Sequence, residues 1–199
     1  MHERTETTPI DSHYVYHTAW ASRILARTRP QRHVDISSYV YFSVIASAFV
    51  PIDFYDYRPV ALHLSGLSTG AQDLTALTFA DNSIPSLSCM HVIEHIGLGR
   101  YGDPLDPRGD LRAARELRRV LAPGGLLLLA VPIGWPCLCF NAHRIYGYEQ
   151  VLSMFDGLVV EEFALLPDDA SGGLILNAPK DLADRQKIAC GCFALRKPL

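Results

Sequence analysis

The stretch "HVIEHIGLGRYGD", His91 to Asp103, places two histidines and a glutamate within five residues. On a stable helix, His91 and His95 would stand four apart on one face, and Glu94 could activate a water held by a zinc ion between them. The flanking residues argue against such a helix. His91 directly follows the strand-like "SLSCM", and Gly97 and Gly99 come just after His95, leaving room for little more than one turn. Glu116 and Glu149 are the candidates for a third ligand. A second reading puts the same residues just after a strand. His95 is then a candidate general base, since imidazole suits proton removal from a hydroxyl at neutral pH, or else a histidine that orients a loop.

A second segment, "FNAHR", Phe140 to Arg144, follows another apolar run and is expected on the same rim. His143 is a second base candidate, and Asn141 stands with the expected acceptor contacts. Arg100 and Arg144 could clamp an anionic group through paired hydrogen bonds, or pair internally with Asp103, Asp106 or Glu149. Tyr101 and Tyr146 could stack on a ring such as a sugar, or pack in the core or at its rim. Arg108, Arg112, Arg115 and Arg119 form a stripe that reads as a solvated face, with local pairing to Asp110 and Glu116.

The elements that must position these groups alternate. "SHYVYHTAWASRILARTRP" reads as an amphipathic helix over residues 13–30, ended by Pro30. "RHVDIS", "VPIDFYDYR", "GLSTGAQD" and "SIPSLSCMH" read as four strands. "SYVYFSVIASAF" reads as a buried helix capped by Ser37 or Ser38. "RGDLRAARELRRVLAPGG" is the clearest helix, with Leu111, Ala114, Leu117 and Leu121 as its apolar stripe and Pro123-Gly124-Gly125 as its stop. "LLLLAVP" is a fifth, fully buried strand, and "GYEQVLSMFD" a short helix. "GLVVEEFALLP" and "KIACGCFALRK" suggest a terminal antiparallel hairpin. The pattern predicts one α/β domain over residues 1–199, with a mostly parallel sheet covered by helices on both faces and residues 1–12 loose.

In such sheets ligands bind beyond the carboxyl ends of the strands. Three acids fall there: Asp35 ends strand one, Asp56 ends strand two, and Asp73 follows strand three. Asp56 follows Asp35 by 21 residues, close to the roughly 20-residue interval that places a carboxylate on a nucleotide ribose. Three acids at successive strand ends favour a nucleoside-like ligand over turn chemistry alone.

Composition narrows the partners. The 199 residues are 49% apolar and 20% charged, with a net charge of −3. Nothing global recruits nucleic acid or an anionic membrane. The run "GLLLLAVPIG" is about half the length of a membrane span, and "MHERTETTPIDSHY" lacks the apolar stretch of a signal peptide. A cytoplasmic protein acting on a small molecule is expected. The five cysteines, Cys89, Cys137, Cys139, Cys190 and Cys192, read as small buried hydrophobes rather than a disulfide framework or a zinc site.

"ELRRVLAPGGLLLLAVP" and "DLTALTFADNSIPSLSCMHVIEH" resemble the strands and helix around the fourth and fifth strands of class I S-adenosylmethionine-dependent methyltransferases. The longer string "HVDIS…DYRP…DLTALTFADNSIPSLSCMHVIEHIGLGRYGD…FNAHRIY" resembles a narrower group, domain of unknown function 268, from about His33 to Leu166. The resemblance implies a Rossmann-like three-layer sandwich, its seven-stranded sheet parallel except for one strand near the C-terminus. It implies S-adenosylmethionine as cofactor, with Asp56 on the ribose, Asp73 and Leu74 beside the adenine, Asp35 and Ser37 at the turn passing the methionine moiety, and His91 beneath. It places Glu94, His95 and the loop to Asp103, with Arg100 and Tyr101, toward the acceptor, on the rim where Asn141, His143 and Arg144 are also expected.

One feature departs from that class: the turn after strand one, "DISSYVYF", has no glycine. Left-handed geometry at a non-glycine residue costs roughly 1–2 kcal/mol. Cofactor binding is therefore expected to be weaker than usual unless the turn takes another path. The readings at this point are a methyltransferase acting on an oxygen of a small, sugar-like acceptor, a methyltransferase-like binding module that has lost the cofactor, and a zinc hydrolase built on His91, Glu94 and His95.

Overall fold

A computed structural model describes residues 8–199. The expectation of a loose N-terminus lies mostly outside the described residues; residues 8–11 are exposed coil. Helix α1 spans Ser12–Thr28 and starts where the Asp11 carboxylate accepts the Tyr14 amide (3.3 Å). It ends at Arg29, a left-handed residue directly before Pro30. Strand β1 is His33–Ile36, α2 Val40–Ala46, β2 Ile52–Asp56, β3 Leu67–Ala71 and β4 Ile84–Met90. Then come α3 Gly109–Val120, β5 Leu121–Ile133, β6 Cys137–Cys139, β7 His143–Ile145 and α4 Tyr148–Met154. The chain closes with β8 Val159–Leu166, β9 Ile175–Leu176, α5 Lys180–Asp184 and β10 Ala189–Arg196.

The main sheet has the order β3-β2-β1-β4-β5-β10-β8-β9. Strands β3 through β5 are parallel, while β10 runs antiparallel between β5 and β8. This is the expected Rossmann-like sheet with an antiparallel strand near the C-terminus, but it has eight strands, not seven, because Ile175–Leu176 adds an edge to β8. The last two long strands pair as expected. Their connection is not a simple hairpin, since it carries β9 and α5.

Helices α1 and α2 cover one face. Trp20, Ala21, Ile24 and Leu25 pack there with Phe42, Ile52 and Cys192. Helices α3, α4 and α5 cover the other, where Leu117, Val151 and Ala183 join Leu127, Leu129 and Phe193. Burial of both faces explains why "LLLLAVP" is continuously apolar rather than alternating.

Several local expectations are corrected. Leu111 is exposed; the buried stripe of α3 is Ala113, Ala114, Leu117 and Val120. The helix gives way at Leu121, before the Pro-Gly-Gly, which instead enters the start of β5. Helix α2 is not fully buried, as Tyr41 and Ile45 are solvent-exposed, and it starts after Tyr39 with no side-chain cap from Ser37 or Ser38. Cys89, Cys190 and Cys192 are buried, but Cys137 and Cys139 are exposed on β6.

A buried polar chain crosses the centre of the sheet. Asp35 accepts hydroxyl hydrogen bonds from Ser37 (2.7 Å), Ser43 (2.6 Å) and Ser88 (2.6 Å). Since the Ser88 proton is committed to Asp35, His33 Nε2–H must donate to Ser88 Oγ (2.8 Å), and His33 Nδ1 accepts from Ser86 (2.8 Å). Burial pushes the Asp35 carboxyl upward, against the pull of its hydroxyl donors. Burial also drives the His33 imidazole down to about 3.

An unfolded histidine titrates at about 6.5, so the neutral imidazole's contribution to stability is complete above that pH and is lost as pH falls toward 3. We expect the wild type to lose up to about 1.4 kcal/mol per pH unit more than His33→Asn across that window. Urea titrations of the two proteins check this; the opposing Asp35 contribution is present in both and drops out to first order. Parallel stability curves would show that His33 is not held neutral by the fold.

Candidate functional site

The strand order reverses between β1 and β4, and a cleft opens at the carboxyl ends of these strands and of β2 and β3. Each strand delivers residues to it directly beyond its last ladder position. Ser37 follows β1, Asp56 ends β2, Asp73 and Leu74 follow β3, and His91 follows β4; all line this cleft. Asp56 Oδ1 accepts the Arg58 amide (3.1 Å), which fixes the carboxylate at the rim. Asp73 Oδ1 accepts both the amide (2.8 Å) and the hydroxyl (2.7 Å) of Thr75, a turn that presents the buried Leu74 side chain beside it.

Asp35 departs from its expected place. Its carboxylate is fully buried and does not reach the cleft; the three serine hydroxyls occupy it. It acts one step removed, because Ser37 Oγ donates to it and accepts the Met90 amide (3.3 Å). The glycine-free turn also avoids strained geometry. No residue from Ile36 to Val40 has a positive φ, and Tyr39 sits at φ −99. The turn takes another path, so the expected strain penalty does not arise there. Left-handed geometry falls instead on His91, at φ 54, which turns its side chain sharply at the end of β4.

That turn breaks the helix a zinc peptidase would need. Ile93–His95 is a single 3-10 turn. His91 Nδ1 is hydrogen-bonded to Glu94 Oε1 (2.9 Å), and His95 Nδ1–H donates to the Ala142 carbonyl (2.6 Å). Of the third-ligand candidates, Glu116 binds Arg119 and the Leu77 amide, and Glu149 pairs with Lys180. Burial by itself would lower the His91 imidazole, but the Cys190 sulfur and the Glu94 carboxylate overcome it and push it up to about 10. Glu94 is 1% exposed and does not line the cleft; its Oε2 is buried without a partner among the described residues.

The acceptor-side residues divide. His95 and Tyr101 line the cleft; Arg100, Asn141, His143 and Arg144 do not. His143 lies behind His95, with ring centroids 6.3 Å apart, and its Nε2 is buried with no partner among the described residues. Burial, with His95 nearby, lowers its imidazole. Arg144 is buried: it pairs with Asp110 (3.3 Å) and donates to the Ile96 carbonyl (2.8 Å), so it staples the loop from within. Arg100 donates to the Ala142 carbonyl (3.1 Å). Tyr101 has guanidinium groups near its ring, Arg58 at 5.0 Å and Arg100 at 5.5 Å. Tyr146 is a core residue, fully buried, its hydroxyl on Asp110 (3.2 Å). Among the stripe arginines, Arg119 pairs with Glu116 and Asp81, and Arg112 with Asp106.

Residues that the sequence does not assign to the site also line the cleft: Arg58 and Gln72, together with Asp106, expected only as an internal partner, and Arg112, expected on a solvated face. The strand-end rule could have found Arg58, which stands two residues past Asp56. Asp106 and Arg112 have no such signal, because the fold of the 97–106 loop brings them in. Asp103 Oδ2 accepts the amides of Gly97 (2.8 Å) and Gly99 (3.3 Å), and its Oδ1 that of Tyr101 (3.2 Å). Burial pushes the Asp103 carboxyl up, but these amides outweigh it and hold it low.

Several solved structures similar to this chain are methyltransferases. The N-methyltransferase NodS from Bradyrhizobium japonicum WM9, in complex with S-adenosyl-L-homocysteine, superposes with a TM-score of 0.65 at 16% identity, covering 92% of this chain and 86% of that one. An S-adenosylmethionine-dependent methyltransferase from Mesorhizobium loti gives 0.59 at 15%, covering 93% and 100%. The [4+2]-cyclase SpnF gives 0.57 at 14%, covering 90% and 82%. The fold is thus that of class I S-adenosylmethionine-dependent methyltransferases. Residues 75–185 match the family described as Caenorhabditis protein of unknown function, DUF268, and the chain belongs to that family. No curated protein matches it.

Gly97 has φ +79, and a Cβ there would overlap the carbonyl of Asp106. Gly97→Ala should lower stability by at least the roughly 1–2 kcal/mol of left-handed strain, read as a lower urea midpoint. An unchanged midpoint would mean that the 97–106 loop is not anchored as described.

Proposed function

We propose that this protein is an S-adenosylmethionine-dependent methyltransferase acting on an oxygen of a small, sugar-like acceptor. One observation carries the reading: Ser37, Asp56, Asp73, Leu74 and His91, from four strand ends, converge on one cleft at the reversal of strand order. Asp56 would take the ribose hydroxyls, Leu74 would lie against the adenine, and Ser37 would face the methionine portion. The donor set fits such a molecule, with a carboxylate for the diol, an apolar wall for the base and a hydroxyl at the polar tail. The bound cofactor would supply an electrophilic methyl group. The chain's own work would be to orient the acceptor and remove its proton.

For that proton His95 is the better placed base. Its Nδ1–H is spent on the Ala142 carbonyl, so Nε2 keeps its lone pair. Nε2 lies 3.8 Å from Glu94 Oε1, a carboxylate that would stabilise the imidazolium once formed. His143 is the weaker candidate, because its Nε2 is enclosed away from the cleft. An acceptor oxygen is favoured because a hydroxyl, unlike a neutral amine, needs a base to become a good nucleophile. The presence of a cyclase among the structures of this fold is a reminder that the site, not the fold, determines the reaction.

The test is calorimetric titration of S-adenosylhomocysteine into the full chain. Saturable binding is expected, weakened by about 10- to 100-fold in Asp56→Ala through loss of charge-assisted hydrogen bonds. Absence of binding at millimolar ligand would overturn the enzyme reading and leave a binding module for another ligand. His95→Gln should leave that binding unchanged and slow methyl transfer by about 100-fold or more once an acceptor is found. Equal turnover of the two proteins would remove His95 from the base role.

A further inference from the structure

Cys190, His91 and His13 come from three distant parts of the chain and meet between the sheet and α1. One ligand atom from each lies within 4.8 Å of the others. His91 Nε2 stands 3.4 Å from Cys190 Sγ. Two ligands on a tetrahedral zinc ion, at about 2.0 Å for nitrogen and about 2.3 Å for sulfur, are themselves about 3.5 Å apart. The pair already holds that edge. His13 stacks over His91 with ring centroids 5.5 Å apart, half-buried on the first turn of α1.

The geometry points to a divalent transition-metal site, zinc above all, ligated by His13, His91 and Cys190. Glu94 supplies the outer support that metal-bound imidazoles carry: its Oε1 takes the Nδ1–H of His91 at 2.9 Å, which turns Nε2, the atom a metal would take in place of its proton, toward Cys190. Charge also balances. On binding, the His91 imidazole gives up its Nε2 proton and the Cys190 thiol its own, both to solvent, and the resulting thiolate together with the Glu94 carboxylate neutralises a dication among otherwise neutral groups. One thiolate with two imidazoles suits zinc better than magnesium or calcium, which prefer oxygen. With three protein ligands, the fourth position is left for water or for His17, whose ring centroid lies 5.0 Å from that of His91. The left-handed backbone at His91 is consistent with a residue held for a purpose rather than for the strand.

Such a site would clasp the start of α1 onto β4 and β10 beside the cleft that His91 also lines. It differs from the H-x-x-E-H zinc reading, because His95 is not a ligand and Glu94 holds a histidine rather than a water. It also stands independently of the cofactor.

The test uses untagged, chelator-treated full-length protein under reducing conditions, titrated with Co2+ and then Zn2+. We expect one equivalent of Co2+ to bind with a thiolate-to-cobalt charge-transfer band and the visible bands of four-coordinate cobalt, both removed by Zn2+. Cys190→Ser should abolish the charge-transfer band, and Glu94→Gln should weaken binding by about 10- to 100-fold. His13→Ala, on the partly exposed side, should lose metal while the metal-free protein melts as the wild type does; it decides the matter if Cys190→Ser fails to fold. The Cys137→Ser/Cys139→Ser double variant, which removes the exposed thiols, should bind normally. No saturable binding, a band that survives Cys190→Ser, unaltered affinity in His13→Ala, or a band lost with the exposed pair would each overturn the site. S-adenosylhomocysteine binding, measured separately on the same protein, reports on the methyltransferase reading alone.

Discussion

The buried carboxylate of Asp35 is the constraint on which the centre of this molecule turns. A carboxylate enclosed without a cation would be costly unless its lone pairs were taken up. Three serine hydroxyls take them up, and each comes from a different structural need. Ser37 belongs to the turn beyond β1, Ser43 to α2, and Ser88 to β4. Satisfying one acid therefore fixes the turn, the helix behind it and the neighbouring strand at the place where strand order reverses. His33 extends the chain to Ser86 and stays neutral to do so. The same bonds set Ser37 facing the cleft, so the network that stabilises the sheet also shapes the site.

This arrangement explains how the first turn dispenses with glycine. A glycine-rich turn uses left-handed backbone to bring amides close to a ligand. Here the chain stays in ordinary conformations from Ile36 to Val40 and anchors its direction through side-chain hydroxyls instead. The unusual backbone is displaced to the other side of the switch point, to His91, Gly97 and Gly99. There Asp103 gathers three amides and Arg144 bonds the carbonyls of the same loop. The rim of the cleft is thus built from charge-assisted bonds to backbone, which are stronger than their neutral counterparts and tolerate little displacement.

Much of this was readable in advance, for physical reasons. Strands buried on both faces must be continuously apolar, and "LLLLAVP" is. Ligand residues in an open α/β sheet must lie just past the strands, so Asp56 and Asp73 can be named from position, and the resemblance to methyltransferases adds Leu74 and His91. Arg144 and Asp35 are ligand candidates in the sequence because both are charged and near strand ends, with internal pairing the alternative for Arg144. Each is instead consumed by internal partners: Asp110 and loop carbonyls for Arg144, three serines for Asp35. No periodicity reports such pairings, since the partners lie far apart in the chain. Leu111 and the pair Cys137 and Cys139 were misplaced for a related reason: apolar type alone does not say which residues a neighbour will cover.

The sequence by itself determined the layers, the mostly parallel sheet and the set of strand ends that could meet a ligand, because periodicity and turn residues act over short range. Only the tertiary structure decided what converges. It brought His13 from the first helix, His91 from just past the fourth strand and Cys190 from the last strand to one spot, and it committed Glu94 to a histidine. Contacts between residues so distant in the chain are fixed by the way β10 slots between β5 and β8 while α1 packs across the sheet, and no local pattern carries that information.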